Sequence, residues 1–146
     1  MHKHDEKYLD LAKFFSVWSK DPSTGVGAVA IGARGQVLAQ GYNGFPRGIR
    51  ESKSRMENRE VKYSYVVHAE MNCIYNAGYN GANLNGSTLY VYGLPVCSEC
   101  AKGIIQVGIE RVVIPNRKNF IPDRWKVSIL ETQSMFKEVG VTYDFI

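Results

Sequence analysis

Two short polar motifs, His68-Ala69-Glu70 and Cys97-Ser98-Glu99-Cys100, each stand where a helical stretch begins, with 28 residues between His68 and Cys97. A metal ion would need the histidine and both cysteines at one point, so the chain between them must fold back on itself. Residues 88–92 read as a strand, and Gly93-Leu94-Pro95 turns that strand into the second helical stretch. Parallel strands joined through helices bring successive helix starts to the same edge of a sheet. That geometry is the fold constraint the two motifs impose.

The rest of the pattern agrees with it. Tyr8, Leu9, Leu11, Ala12, Phe15 and Trp18 give residues 5–19 a helical period, ended by Asp21-Pro22-Ser23. Residues 26–31 and 37–41 read as strands of a hairpin turning at 32–35, and 43–48 (Asn-Gly-Phe-Pro-Arg-Gly) reads as a loop. Helices are expected over 68–77, ending near Gly78, over 97–107, stopped by Gly108, and over 125–138, closed by Gly140. Further strands are expected at 111–114 and 141–145. The order α-β-β-α-β-α-β-α-β implies an α/β fold, a three-layer α/β/α sandwich around one five-stranded mixed sheet whose later strands run parallel.

Composition narrows the class. The 146 residues, 45% hydrophobic and 22% charged, suit a single domain spanning 1–146. No apolar run is long enough to span a bilayer, and the start Met-His-Lys-His-Asp-Glu is too polar for a signal peptide, so a cytoplasmic protein without membrane contact is expected. The net charge of +4 suits an anionic small molecule and permits nucleic acid. Basic residues gather between Arg47 and Lys62 with Glu51, Glu57 and Glu60 interspersed, which reads as a solvated, partly mobile loop. Three cysteines without a secretory signal argue for metal or catalysis rather than a disulfide framework.

Cys-x-x-Cys by itself fits a redox pair or half of a structural zinc site equally well. The histidine motif changes that reading. Catalytic zinc takes three protein ligands and leaves a fourth position to water, a count that His68, Cys97 and Cys100 fill. Positive helix starts favour thiolate over thiol. Glu70, two positions past the ligand, can face that water rather than the metal, take its proton, and deliver it to a ring nitrogen and then to a leaving amine. Cys73 lies in an apolar stretch and is expected as a buried thiol. His2 and His4 sit at a frayed terminus.

His-x-Glu followed by Cys-x-x-Cys is the pattern of zinc base deaminases. With Ser19-Lys20-Asp21-Pro22-Ser23, the 41–48 loop Gly-Tyr-Asn-Gly-Phe-Pro-Arg-Gly, Lys62-Tyr63-Ser64-Tyr65 and Gly140-Val141-Thr142, the chain resembles the deoxycytidylate (dCMP) deaminases of the cytidine deaminase superfamily. The resemblance implies a cytidine deaminase-like fold and zinc-dependent hydrolysis of dCMP to dUMP and ammonia, feeding dTMP synthesis. It implies that Asn43 binds the deoxyribose 3′-hydroxyl, and that the Ala69 and Cys97 backbone N–H groups line the base pocket. It also implies a homo-oligomer, commonly a hexamer, activated by dCTP and inhibited by dTTP at a site involving the Gly-Tyr-Asn-Gly loop. Asn43 before Gly44 equally suits a tight turn. Lys20, Arg47 and Lys118 are candidates for the phosphate, and Phe120 for a wall of the base pocket or for core.

Two departures from the family pattern stand out. The usual proline before the first cysteine is Val96 here, with Pro95 one place earlier, and Val96 keeps an N–H that proline lacks. Residues 47–67 contain no Cys or His, so the second, structural zinc of some relatives has no ligands there. Competing substrates are dCTP, a 5-substituted dCMP, or a polynucleotide in the manner of tRNA adenosine or cytidine deaminases. An editor needs stacking platforms near the pocket, and only Tyr63 and Tyr65 stand beside the basic segment. Nucleic acid is therefore not the expected partner. A zinc-binding regulator without catalysis would have no use for Glu70.

Overall fold

Side chains of the first strand, β1 (Gly27–Ile31), alternate between two separate cores. Val29 and Ile31 meet Leu9 and Ala12 of the first helix, α1 (Asp5–Ser16), together with Tyr90 and Val113. Ala28 and Ala30 point the other way, into a larger cluster. That cluster holds Ala69, Cys73 and Ala77 of α4 (Ala69–Asn80), Cys100, Ala101 and Ile104 of α5 (Ser98–Gln106), and Phe136 of α6 (Asp123–Val139). One helix covers one face of the sheet and three cover the other, which makes the expected three layers. The computed structural model describes residues 2–116 and 123–146.

The sheet has five strands in the order β2-β1-β3-β4-β5. β2 (Val37–Tyr42) and β3 (Thr88–Tyr92) both run antiparallel to β1, pairing Gly27 with Tyr42 and with Tyr92. β4 (Arg111–Ile114) and β5 (Thr142–Phe145) continue from β3 in parallel, pairing Thr88 with Arg111 and Arg111 with Thr142. The sheet is therefore mixed, as the element order requires, and β1 and β4 are buried along their whole length.

Close approach of α4 to β2 sets the position of the first motif. A Cβ at Gly41 would lie 2.4 Å from the Cys73 amide nitrogen and 2.7 Å from the Ala69 carbonyl oxygen, so only glycine lets the helix backbone rest there. Asn72 and Asn76, one turn apart, then donate to the Tyr42 and Gln40 carbonyls at 2.7 and 2.6 Å and fix the helix along the strand.

Several boundaries differ from the sequence expectation. α4 runs through Gly78 and closes at Gly81, whose φ of +73° supplies the left-handed cap. α1 ends at Ser16, three residues earlier than expected, in a turn through Trp18. The basic segment 47–62 is not a mobile loop throughout. It contains α2 (Lys53–Glu57) and runs into α3 (Arg59–Tyr65), with Ser52 and Asn58 side chains accepting from the Arg55 and Val61 amides. Both helices are too short to display a hydrophobic period, so their capping residues were the signal and the charges concealed them.

Candidate active site and metal centre

Both ligand motifs sit at helix caps. His68 is the N-cap of α4 in extended backbone, and its side chain makes no capping bond. Cys97 is the N-cap of α5, and its sulfur accepts from the Cys100 amide at 3.4 Å. His68 Nδ1 lies 3.3 Å from Cys97 Sγ and 3.5 Å from Cys100 Sγ. The three donor atoms all fall within 4.8 Å of one another, which is the spacing of ligands around one small cation.

The electrostatics suit such a cation. The Cys97 thiol is pulled well below the usual thiol range, first by the Cys100 thiol that hydrogen-bonds to it and then by His68 and the Cys100 amide. Its partner Cys100 is pushed up, because the two sulfurs share one proton. Pairing with Cys97 raises His68 against the effect of burial. A nitrogen and two sulfurs that already favour a thiolate form the donor set zinc prefers. Cys73 stands outside the cluster, and burial pushes its thiol up to about 12, as expected of a packed rather than a reactive cysteine.

Glu70 is 3% exposed, so its carboxylate has lost most of its water. Burial pushes the carboxyl up to about 7, while the charge on His68 pulls it down. A cation at the neighbouring ligands acts in the same direction as His68. A carboxyl balanced in this way can both accept and release a proton near neutral pH.

A cleft of about 300 Å³ opens beside these groups and includes His68, Ala69 and Glu70 in its wall. Asn43, Asp21 and Thr24 line another side. The Asn43 side chain is already engaged: Oδ1 accepts from the Val26 amide at 2.8 Å, and Nδ2 donates to the Thr24 carbonyl at 3.0 Å. One lone pair on Oδ1 remains for a ligand hydroxyl. Ala69 is the first residue of α4, so its N–H has no carbonyl partner within the helix.

The cations at the cleft are not the expected ones. Lys20 is exposed and outside the lining. Arg47 turns to a second cavity, where its guanidinium bonds Asn76 Oδ1 and lies 5.0 Å from the Tyr79 ring centre. Lys118 and Phe120 lie outside the described residues. Instead, Lys62 of α3 and Arg124 at the start of α6 reach the cleft, with Tyr63 and Trp125 beside them. Lys62 is held 3.3 Å from Asp21 Oδ1. The Trp125 ring stacks on His68 at 6.4 Å between centres and 26° between planes. Sequence spacing signals neither Lys62 nor Trp125, because each is carried to the cleft by a helix remote from the motifs.

Residues 2–115 match the model of the cytidine and deoxycytidylate deaminase zinc-binding region. The chain belongs to this deaminase family. It is 37% identical over 145 residues to a deoxycytidylate deaminase of Mus musculus, covering 94% of this chain and 76% of that protein. It is 38% identical to an uncharacterized deaminase of Aliivibrio fischeri, covering 95% and 90% of the two chains. The dCMP deaminase of cyanophage S-TIM5, solved in complex with dCMP and dUMP, superposes with a TM-score of 0.77 at 25% identity over 100% of this chain and 99% of that one. Within this zinc-binding family match, His68, Cys97 and Cys100 are, among the described residues, a group that could hold a metal ion. Among the described residues, no helix is long and apolar enough to cross a membrane.

Proposed function

We propose that this chain is a zinc-dependent hydrolase that deaminates dCMP to dUMP and ammonia, acting as one domain over residues 1–146. The observation that carries the reading is the buried Glu70 beside the converged His68, Cys97 and Cys100 donors, at the wall of a nucleotide-sized cleft. Its relatives named deoxycytidylate deaminases support the choice of substrate. Bound zinc supplies the Lewis acidity that makes water nucleophilic at neutral pH. Glu70 accepts one proton from the attacking water at its carboxylate and passes it to the ring nitrogen; it then takes the proton of the hydroxyl left on the ring carbon and gives it to the amine, which leaves as ammonia as the C–N bond breaks. Asn43 Oδ1 takes the sugar 3′-hydroxyl, and the Ala69 and Cys97 N–H groups hold the base. Trp125 walls the base, a role the sequence offered to Phe120. Lys62 and Arg124 supply the positive charge for the phosphate.

The proposal extends to regulation and assembly. A second cavity of about 550 Å³ lies behind the same loop that carries Asn43, lined by Gly44, Arg47 and Glu51. This cavity is where dCTP and dTTP would act, since one loop serves both walls. Phe14 and Trp18 near the end of α1, and Val127 and Leu130 on α6 across the sheet, are more than half exposed, two separate surfaces that a homo-oligomer such as a hexamer would cover. All three cysteines are free thiols, which suits a reducing, cytoplasmic setting.

Ammonia release from deoxycytidine, dCMP, dCTP, 5-methyl-dCMP, CMP and an adenosine- or cytidine-bearing RNA hairpin tests the reading. The expected order puts dCMP first. A phosphate contact contributes roughly 1.5–3 kcal/mol, about tenfold to a hundredfold in kcat/KM. Equal rates for deoxycytidine and dCMP would remove the phosphate contact from the account, and turnover of the hairpin alone would replace the nucleotide reading with that of an editor. Glu70→Gln should keep its zinc and lose roughly 10²–10⁴-fold in kcat.

A further inference from the structure

The family match ends at residue 115, yet the backbone around Cys97 is gripped by side chains beyond it. On the N-terminal side, the Val96 N–H donates to Tyr143 Oη of β5 at 3.2 Å, and the Val96 carbonyl accepts from Thr132 Oγ1 of α6 at 2.9 Å. On the C-terminal side, the Ser98 N–H donates to Ser128 Oγ at 2.8 Å, and that hydroxyl donates onward to Ser98 Oγ at 3.2 Å. Both Val96 and Thr132 are fully buried, so water cannot replace these partners. The Ser98 amide is an N-terminal helix N–H with no intrahelical acceptor. The Tyr143 bond exists only because residue 96 has an N–H, which a proline at that place would lack.

Ser128 and Thr132 are one turn apart on α6, and Trp125 lies on the same stripe, three residues before Ser128. One helix face therefore touches both arms of the ligand set: the His68 ring through Trp125, and the backbone of Val96 and Ser98, on either side of Cys97, through Thr132 and Ser128. Without these bonds, Cys97 would sit at the end of a nine-residue helix, free to fray with it. A zinc site needs its metal–ligand distances within about 0.2 Å of their usual values.

We propose that Ser128, Thr132 and Tyr143 are positioning residues of the metal centre, holding Cys97 in place from the C-terminal helix and strand. The inference rests on the reading of His68, Cys97 and Cys100 as zinc ligands. It is tested on the full-length, zinc-loaded protein with Ser128→Ala, Thr132→Val, Tyr143→Phe and the conservative Thr132→Ser. Tyr8→Phe serves as a control, because it removes a hydroxyl bond to the Gly35 carbonyl far from the metal. The readouts are zinc transfer to a chromophoric chelator, the thiolate-to-cobalt absorption of the cobalt-substituted protein, kcat and KM for dCMP, and melting temperature. Removal of a group that orients a ligand weakens metal retention or activity roughly 10–100-fold. The three hydroxyl deletions should release zinc faster by such a factor, shift the cobalt band, and lower kcat with KM unchanged. Thr132→Ser should behave as the parent protein. If the variants melt lower, as is expected of Tyr8→Phe, but release zinc at the parental rate, their role is only structural and the proposal is overturned. If the parent chain takes up no zinc, the ligand assignment itself fails, and that outcome is read before any variant is made.

Discussion

Replacing Asp5 with Ala separates stability from chemistry. The Asp5 carboxylate is fully buried and accepts from both terminal nitrogens of Arg111 at 2.8 Å, from the Tyr90 hydroxyl at 2.7 Å and from the His2 amide at 2.7 Å. Arg111 is the main reason this carboxyl lies well below the usual carboxylate range, outweighing the opposite effect of burial. The variant leaves a guanidinium whose side chain is 10% exposed with Asp144 as its remaining carboxylate partner. Breaking a buried pair costs about 3–5 kcal/mol, and the surviving Asp144 contact with slight exposure puts this case near 3. The orphaned Tyr90 hydroxyl adds about 1 kcal/mol, for a total near 4. In a domain of this size that is a melting-temperature loss of roughly 10–15 °C. Arg111 opens β4, at the sheet end opposite the helix starts that carry the ligands, so kcat at a permissive temperature should not change. Thermal melts with a parallel ammonia assay measure both. Because the folded-state pKa is depressed, the contribution is complete above the unfolded value near 3.8 and fades as pH falls below it. The gap between parent and variant should therefore hold steady from about pH 5 to 8 and narrow only under stronger acid. A loss below about 2 °C, or a gap that grows on acidification, would refute the assignment of this pair as a stabilising one.

Other outcomes follow from the same contacts. Metal analysis should give one zinc per chain, and Cys73→Ala should leave that ratio unchanged, because Cys73 is outside the ligand cluster. Chelation should abolish ammonia release, and zinc should restore it. Gly41→Ala should cost about 1–3 kcal/mol in a thermal melt and lower activity, since the new methyl meets the backbone of Ala69 and Cys73 and pushes α4 off β2. Arg124→Ala should raise KM for dCMP and leave deoxycytidine kinetics unaltered. An equal effect on both substrates would remove Arg124 from the phosphate site.

His68, Glu70, Cys97 and Cys100 were legible in the sequence because their chemistry depends on residue type and on the local fact of standing at a helix start. The strands at 88–92 and 111–114 were legible to the residue, bounded as they are by turn signals and built of β-branched and aromatic side chains. α2 and α3 were not, since a helix of five or seven residues has no room for a period and its charges imitate a solvated loop. Asn43, singled out through the family resemblance, lines the cleft. The structure adds that its amide is largely committed to Val26 and Thr24, so it stiffens the cleft as well as facing it.

The sequence by itself singled out the candidate donor set and proton carrier and the order of the five strands and the four longer helices, because each rests on a residue and its near neighbours. The tertiary structure decided which remote side chains reach the cleft. Arg47 stands in the most basic stretch but faces another cavity, whereas Lys62, Arg124 and Trp125 reach the cleft from helices that flank it. It also decided what holds Cys97 in place: an N–H at Val96, unremarkable in one dimension, meets Tyr143, 47 residues later. Spacing along a chain reports contacts within a turn or a hairpin. A contact between β5 and the start of α5 exists only once the sheet has set both at the same edge.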